Sequence, residues 1–206
     1  MMFGLAGSAG VGKTTLAKAI AADLDLTYMP TSITECAKKH GFDPVAFMGI
    51  GERLQLQEHL LEDHIQMIKE APRPLIVDRT PIDMVGYLMC EFTMQSHQYA
   101  TVEQIAQAEA YIHKALDAAV TYYDCIFMVS QLDTYQIADT RPADNRAYQS
   151  HSQLVMEGAL SRVSHRLRTA IVTTTDPDRR VELVSEQIVT RMDAIEAMAR
   201  TSPHFH

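Results

Sequence analysis

The 206-residue chain is short of most features that would assign it by bulk properties alone. Its three cysteines, Cys36, Cys90 and Cys125, are far apart with no C-x-x-C pair, which argues against a disulfide framework or a cysteine-built zinc site. They read as buried thiols in a reducing cytoplasm. Apolar runs stay far below the length of a bilayer span, and the N-terminus has no secretory leader, so the expected location is cytoplasmic, away from membranes. Positive charge is scarce, with 18 Lys and Arg against 26 Asp and Glu, a formal net charge of −8. That balance disfavours broad binding to nucleic acid, although a local basic groove stays open. Metal-ligand spacing is also absent from the nine histidines: His59 and His64 are five apart, off a common helical face, and His204 and His206 sit on the tail. They read as scattered polar surface.

What the chain does have comes early. In "GLAGSAGVGKTTLAKAI", residues 4–20, glycines cluster between an apolar stretch and a helix-like one. Residues Gly7, Ser8, Ala9, Gly10, Val11, Gly12, Lys13 and Thr14 fit G-x-x-x-x-G-K-[ST] without a mismatch, with Thr15 next. The chemistry requires that order. Glycines let successive backbone N–H groups turn inward around phosphate oxygens, and the helix that follows directs its positive dipole end at the same anion. Lys13 supplies a charge for the outer phosphates, and the Thr14 hydroxyl suits a Mg²⁺ ligand position. ATP and Mg²⁺ are the implied ligands.

Apolar runs alternate with helical periods along the rest of the chain. Strands are expected at 2–6, 26–29, 74–78, 124–129 and 169–174. Helices are expected at 13–23, 32–40, 51–70, 81–93, 102–121, 146–167 and 178–199. The alternation indicates an α/β fold, a parallel sheet with helices on both faces, read as one domain over 1–206. Runs such as Leu75-Ile76-Val77 fit strands buried on both sides. Ligands of such sheets bind beyond the carboxyl ends of the strands.

A second anionic site is expected at "PLIVDRTPIDMVGY", residues 74–87. Asp78 closes a strand, where a carboxylate can reach Mg²⁺ or accept a proton, and Arg79 can hold a phosphate through its planar fork of donors. Pro81 and Asp83 read as ordinary helix-start residues. Asp78, Arg79 and Tyr87 match the D-R-[YH]-x-x-S-x-x-A-Y signature of thymidylate kinases in register, with Thr80, Asp83 and Gly86 as departures. "PTSITECAKKHGFDP", "ERLQLQEH" and "DRTPIDMVGY" together resemble the P-loop kinases, often phage-encoded, that act on deoxynucleoside monophosphates. The resemblance covers residues 3–90 well and the remainder loosely. It implies the nucleoside monophosphate kinase fold, a five-stranded parallel sheet with the phosphate-loop strand at its centre. It also implies a glutamine, here Gln57, reading the acceptor base.

Arg53 and Gln57 fall at i and i+4, hence on one helical face, and Arg53 is a second candidate for the acceptor phosphate. A solvated polar stripe is the alternative for this pair. Glu35 is either a sugar ligand or base, or a surface carboxylate. Phe42, Phe47 and Tyr87 are candidates to stack on the base, or core residues. Residues 130–148, "SQLDTYQIADTRPADNRAY", suit a lid over ATP, and Arg141 and Arg146 are its fixed positive charges. "VTTTDPDRR", residues 172–180, shows only turn and cap chemistry. The expectation is transfer of the γ-phosphoryl of MgATP to a nucleoside monophosphate. A nucleoside, a modified base in DNA, or no acceptor at all (a switch or motor) are the alternatives. A homodimer is left open.

Overall fold

Alternating side chains along the apolar runs decide how the layers assemble. A computed structural model describes residues 1–43, 46, 48–95, 100–132 and 146–201. Strand β1 (Met2–Ala6) is buried along its whole length and hydrogen-bonds in parallel to β3 (Leu75–Val77) on one side and β4 (Cys125–Val129) on the other. Strands β2 (Thr27–Met29) and β5 (Thr169–Val172) close the edges, giving a five-stranded parallel sheet in the order β2-β3-β1-β4-β5. The phosphate-loop strand is therefore central, as the resemblance implies.

Successive side chains of a strand face opposite ways, so each central strand contributes to two cores. Phe3, Leu5, Ile76, Cys125, Phe127 and Val129 face helices α1 (Lys13–Leu24) and α7 (Pro177–Thr201), meeting Leu16, Ile20, Val184 and Ile188. Met2, Ala6, Leu75, Val77, Ile126 and Met128 face the other way. There they meet α3 (Ile50–Glu70), α4 (Pro81–Gln95), α5 (Val102–Tyr122) and α6 (Arg146–Val163). A smaller core joins α2 (Ile33–Lys39) to α3 through Ala37, Met48, Leu56 and Leu60.

Phe42 is half-buried and packs against this small core; Phe47 lies outside the described residues. Two expected boundaries shorten by more than one residue. β5 ends at Val172, because Thr174 turns to cap the loop ahead of α7, and α6 ends at Val163, where Ser164 Oγ folds back onto the Ser161 carbonyl at 2.8 Å.

Candidate active site at the carboxyl ends of the central strands

The chain leaves β1 into a loop whose backbone does what the glycine spacing requires. Gly10 and Gly12 have φ of 85° and 89°, the left-handed region that residues with a Cβ avoid. Positive φ at such positions is the backbone conformation that an anion nest at a helix start requires. Thr15 is exposed in the first turn of that helix.

Lys13 is only 8% exposed, and among the described residues the contacts of its ammonium lie within the loop or just beneath it. Nζ donates to the carbonyls of Gly7 and Ser8, the latter at 2.9 Å, and stands 3.4 Å from Asp83 Oδ1. Burial pushes its pKa down; the Asp83 carboxylate opposes this and Arg79 adds to it. Asp83, 1% exposed, is the residue that motif reading undervalues. Its Oδ1 accepts from Gly7 N at 3.2 Å, and its Oδ2 accepts from both Thr80 N and Thr80 Oγ1 at 2.9 Å. An ordinary helix-start residue would cap α4 and stop there. Asp83 also ties α4 to the phosphate loop and balances the lysine. The signal was present in the Thr-x-x-Asp spacing of a capping box, which its second role goes beyond.

Asp78 gathers a second set of donors at the end of β3. Thr14 Oγ1 donates to its Oδ2 at 2.8 Å and Tyr28 OH to the same atom at 2.9 Å, while Thr31 N donates to Oδ1 at 3.1 Å. Thr14 and Asp78, each a Mg²⁺-ligand candidate from the sequence, are thus hydrogen-bonded to each other, and Tyr28 joins them from β2. Burial of the Tyr28 hydroxyl, with the Asp78 carboxylate adding to it, pushes its pKa above the ordinary phenol range. A hydroxyl beside a carboxylate is an oxygen-only donor set, which fits a hard cation such as Mg²⁺.

Arg79 is half-buried, with its guanidinium 5.9 Å from the centre of the Tyr87 ring. A guanidinium over an aromatic face is held in orientation while its N–H edges stay available. Arg53 and Gln57 do share a face of α3, but each already has a protein partner. Arg53 Nε lies 2.5 Å from Glu91 Oε2 on α4, and Glu91 also takes a hydrogen bond from Tyr148 of α6. Burial pushes the Glu91 pKa up against the pull of Arg53. Gln57 is buried, and its carbonyl accepts from Tyr111 OH at 3.2 Å. A solvated polar stripe is excluded for both. Glu35, by contrast, is exposed in the first turn of α2, where its backbone N–H donates to Ser32 Oγ at 3.2 Å.

On the outer side of the loop, a cavity of about 290 Å³ is lined by Ala9, Gly10, Val11, Gln131, Arg146 and Gln149, among others. Arg146 opens α6 and so reaches the phosphate loop; Arg141 and residues 133–145 of the expected lid lie outside the described residues. Gln153 of the same helix accepts from Ser8 N at 2.9 Å and donates to Glu157 Oε1.

The loop of residues 172–180 holds more than turn chemistry. Arg180, 4% exposed, donates to the carbonyls of Thr174, Val11 and Ser130 at 2.6, 2.7 and 3.0 Å. One guanidinium thus joins the segments that follow β1, β4 and β5. Its contact with Val11 spans 169 residues of sequence, and nothing local announces it. The histidines are not all surface residues. His64 is 1% exposed, stacks parallel to Tyr123 and meets its hydroxyl at 2.8 Å, and burial pushes its pKa down to about 4. His40 stacks on His59, beside Cys36 and Asp63.

A parallel five-stranded sheet, a phosphate loop after its central strand and a carboxylate-arginine pair after the neighbouring strand define the P-loop kinase fold. The family model described as an AAA domain matches residues 3–180, and the chain belongs to that family. No curated protein matches the sequence. Among solved structures, the chain is similar to deoxyadenosine kinase from M. mycoides with bound dCTP, at 12% identity and a TM-score of 0.65 over 92% of this chain and 100% of that one. It is also similar to thymidylate kinase from Candida albicans, at 14% identity and a TM-score of 0.66 over 93% and 92% of the two chains. At such identities the likeness is one of fold.

Proposed function

We propose that this protein transfers the γ-phosphoryl of MgATP to a nucleoside monophosphate, with a deoxynucleotide as the favoured class. The observation that carries the reading is the adjacency of Asp78 and Arg79. Asp78 is tied to Thr14 of the phosphate loop, and Arg79, near enough to depress the Lys13 pKa, is oriented over Tyr87. In this reading the nest amides and Lys13 hold the donor phosphates, and Thr14 and Asp78 hold Mg²⁺, which neutralises charge on the transferred group when bound. Arg79 grips the acceptor phosphate, and Arg53 would join it by leaving Glu91. An acceptor phosphate oxygen is already anionic, so alignment and charge neutralisation suffice without a general base. Arg146, which lines the cavity beside the phosphate loop, supplies positive charge over the donor.

Two observations favour other readings. The likeness to deoxyadenosine kinase supports a nucleoside acceptor, which needs a base for its hydroxyl proton. Glu35 is exposed and Asp78 already accepts three hydrogen bonds, which weighs against that option. The AAA description supports ATP hydrolysis without any acceptor. Incubation with MgATP and a panel of nucleosides, monophosphates and oligonucleotides separates the three. Diphosphate formation from a monophosphate is the expected result. Phosphorylation of nucleosides alone, or ATP hydrolysis indifferent to acceptor, would replace the proposal.

A further inference from the structure

Away from the cleft, α2 lies across the outer face of α3, and one end of that contact collects four side chains of metal-binding type. Cys36 and His40 are four residues apart on α2 and its cap; His59 and Asp63 are four apart on α3. That spacing stacks each pair on one face of its helix, and the fold turns the two faces together. Cys36 Sγ is 3.3 Å from Asp63 Oδ2, and His40 Nε2 is 3.1 Å from the same oxygen. The three ligand atoms lie within 4.8 Å of one another. The His59 ring lies parallel on His40, with centroids 4.0 Å apart, which holds the His40 imidazole in plane. Phosphoryl transfer uses none of these groups.

We propose that Cys36 Sγ, His40 Nε2 and Asp63 Oδ2 bind a zinc-like divalent cation that clips α2 to α3. Zinc bonds of about 2.0–2.3 Å set the ligand atoms of a tetrahedron about 3.3–3.7 Å apart. Two edges of that triangle already stand at 3.1 and 3.3 Å. One sulfur, one nitrogen and one oxygen suit zinc; magnesium and calcium take oxygen alone. Lys39 Nζ holds the other carboxylate oxygen, Asp63 Oδ1, at 2.8 Å, which fixes the carboxylate as an outer-shell partner and leaves Oδ2 for the metal. Binding forms a metal–thiolate bond and releases the thiol proton to solvent, with no change of oxidation state. The fourth position is open to water. The clip would brace α3, the helix that carries Arg53 and Gln57.

Cobalt(II) titration of the metal-stripped full-length chain, without nucleotide, tests the site. One equivalent of Co²⁺ is expected to produce sulfur-to-cobalt charge-transfer absorption, and Zn²⁺ to raise the melting temperature. The Thr14–Asp78 site has no sulfur, and Cys90 and Cys125 are buried, so the band reports Cys36. Cys36→Ser is expected to lose the band. Asp63→Asn should weaken cobalt affinity by more than the about 10–100-fold that outer-shell partners are worth. Circular dichroism of both variants establishes that they fold; Asp63→Asn retains the thiol, so a failure of Cys36→Ser to fold still leaves a test. Absence of the band in the wild type, its survival in Cys36→Ser, or unchanged affinity in Asp63→Asn would reduce the cluster to a hydrogen-bonded triad.

Discussion

Around Lys13 the polar contacts run to main-chain carbonyls and one buried carboxylate, whereas around Arg53 and Gln57 they run from helix to helix through side-chain tips. The first arrangement is set within a dozen residues and seated on the sheet, except for Asp83, which α4 brings in from 70 residues further along. The second exists only because α3, α4, α5 and α6 pack together. On the proposed reading, the donor side is therefore mostly local in sequence, and the acceptor side depends on how helices are spaced. A motif-bearing loop can stay intact while the acceptor wall changes shape, which separates the two halves experimentally.

The largest expected effect is on the donor half. Lys13→Ala should lower turnover by about 10³-fold, the scale of losing a preorganised charge at the transferring group. Circular dichroism should remain unchanged, because Asp83 keeps its bonds from Gly7 and Thr80. A folded Lys13→Ala with normal turnover would remove the donor assignment.

Acid should act on the helical half. His64 on α3 is buried neutral with a pKa of about 4, below its value in an unfolded chain. The unfolded state therefore binds the proton first, and stability falls as pH drops from about 6.5 to about 4, by up to about 3 kcal/mol. Denaturant melts across that window should show a shallower pH slope in His64→Leu than in the wild type. Equal slopes would place the acid sensitivity elsewhere.

Arg79→Ala should raise the KM for the monophosphate by about 10²-fold, the worth of a charged hydrogen-bonded pair, and leave the KM for ATP near normal. Arg79→Lys should not restore it, since an ammonium lacks the planar fork. Equal effects on both substrates would mean that the halves are not separable.

The smallest effect probes how the halves are joined. A Cβ at Gly86 of α4 would come within 2.3 Å of Met156 Cγ on α6. Gly86→Ala should cost about 1–3 kcal/mol by overpacking and pull Gln153 away from Ser8 N. Thermal melts should show Met156→Ala restoring part of the loss in the double variant, through a coupling that two independent substitutions would lack.

These contrasts explain what could be read from the chain alone. The phosphate loop, the alternation of strands and helices and the Asp78–Arg79 step were legible because each depends on neighbours in sequence. Glycines that permit a nest, apolar runs that bury both faces and a carboxylate at a strand end carry their meaning locally. Asp83 was half legible, as a cap whose spacing was visible and whose lysine was not. The lone-looking histidines misled for the same reason. His64 meets Tyr123 from 59 residues away, and the facing pairs Cys36–His40 and His59–Asp63 have no relation until α2 lies on α3.

The sequence by itself determined that a phosphate-loop motif follows the first strand of a parallel α/β sheet. Only the tertiary structure decided that Asp83 holds the lysine, that Arg180 staples three strand ends, and that Arg53 and Gln57 are engaged by Glu91 and Tyr111. Backbone conformation follows from residues a few positions apart. The partner of a buried charge is set by whichever distant segment the packing of apolar faces brings beside it.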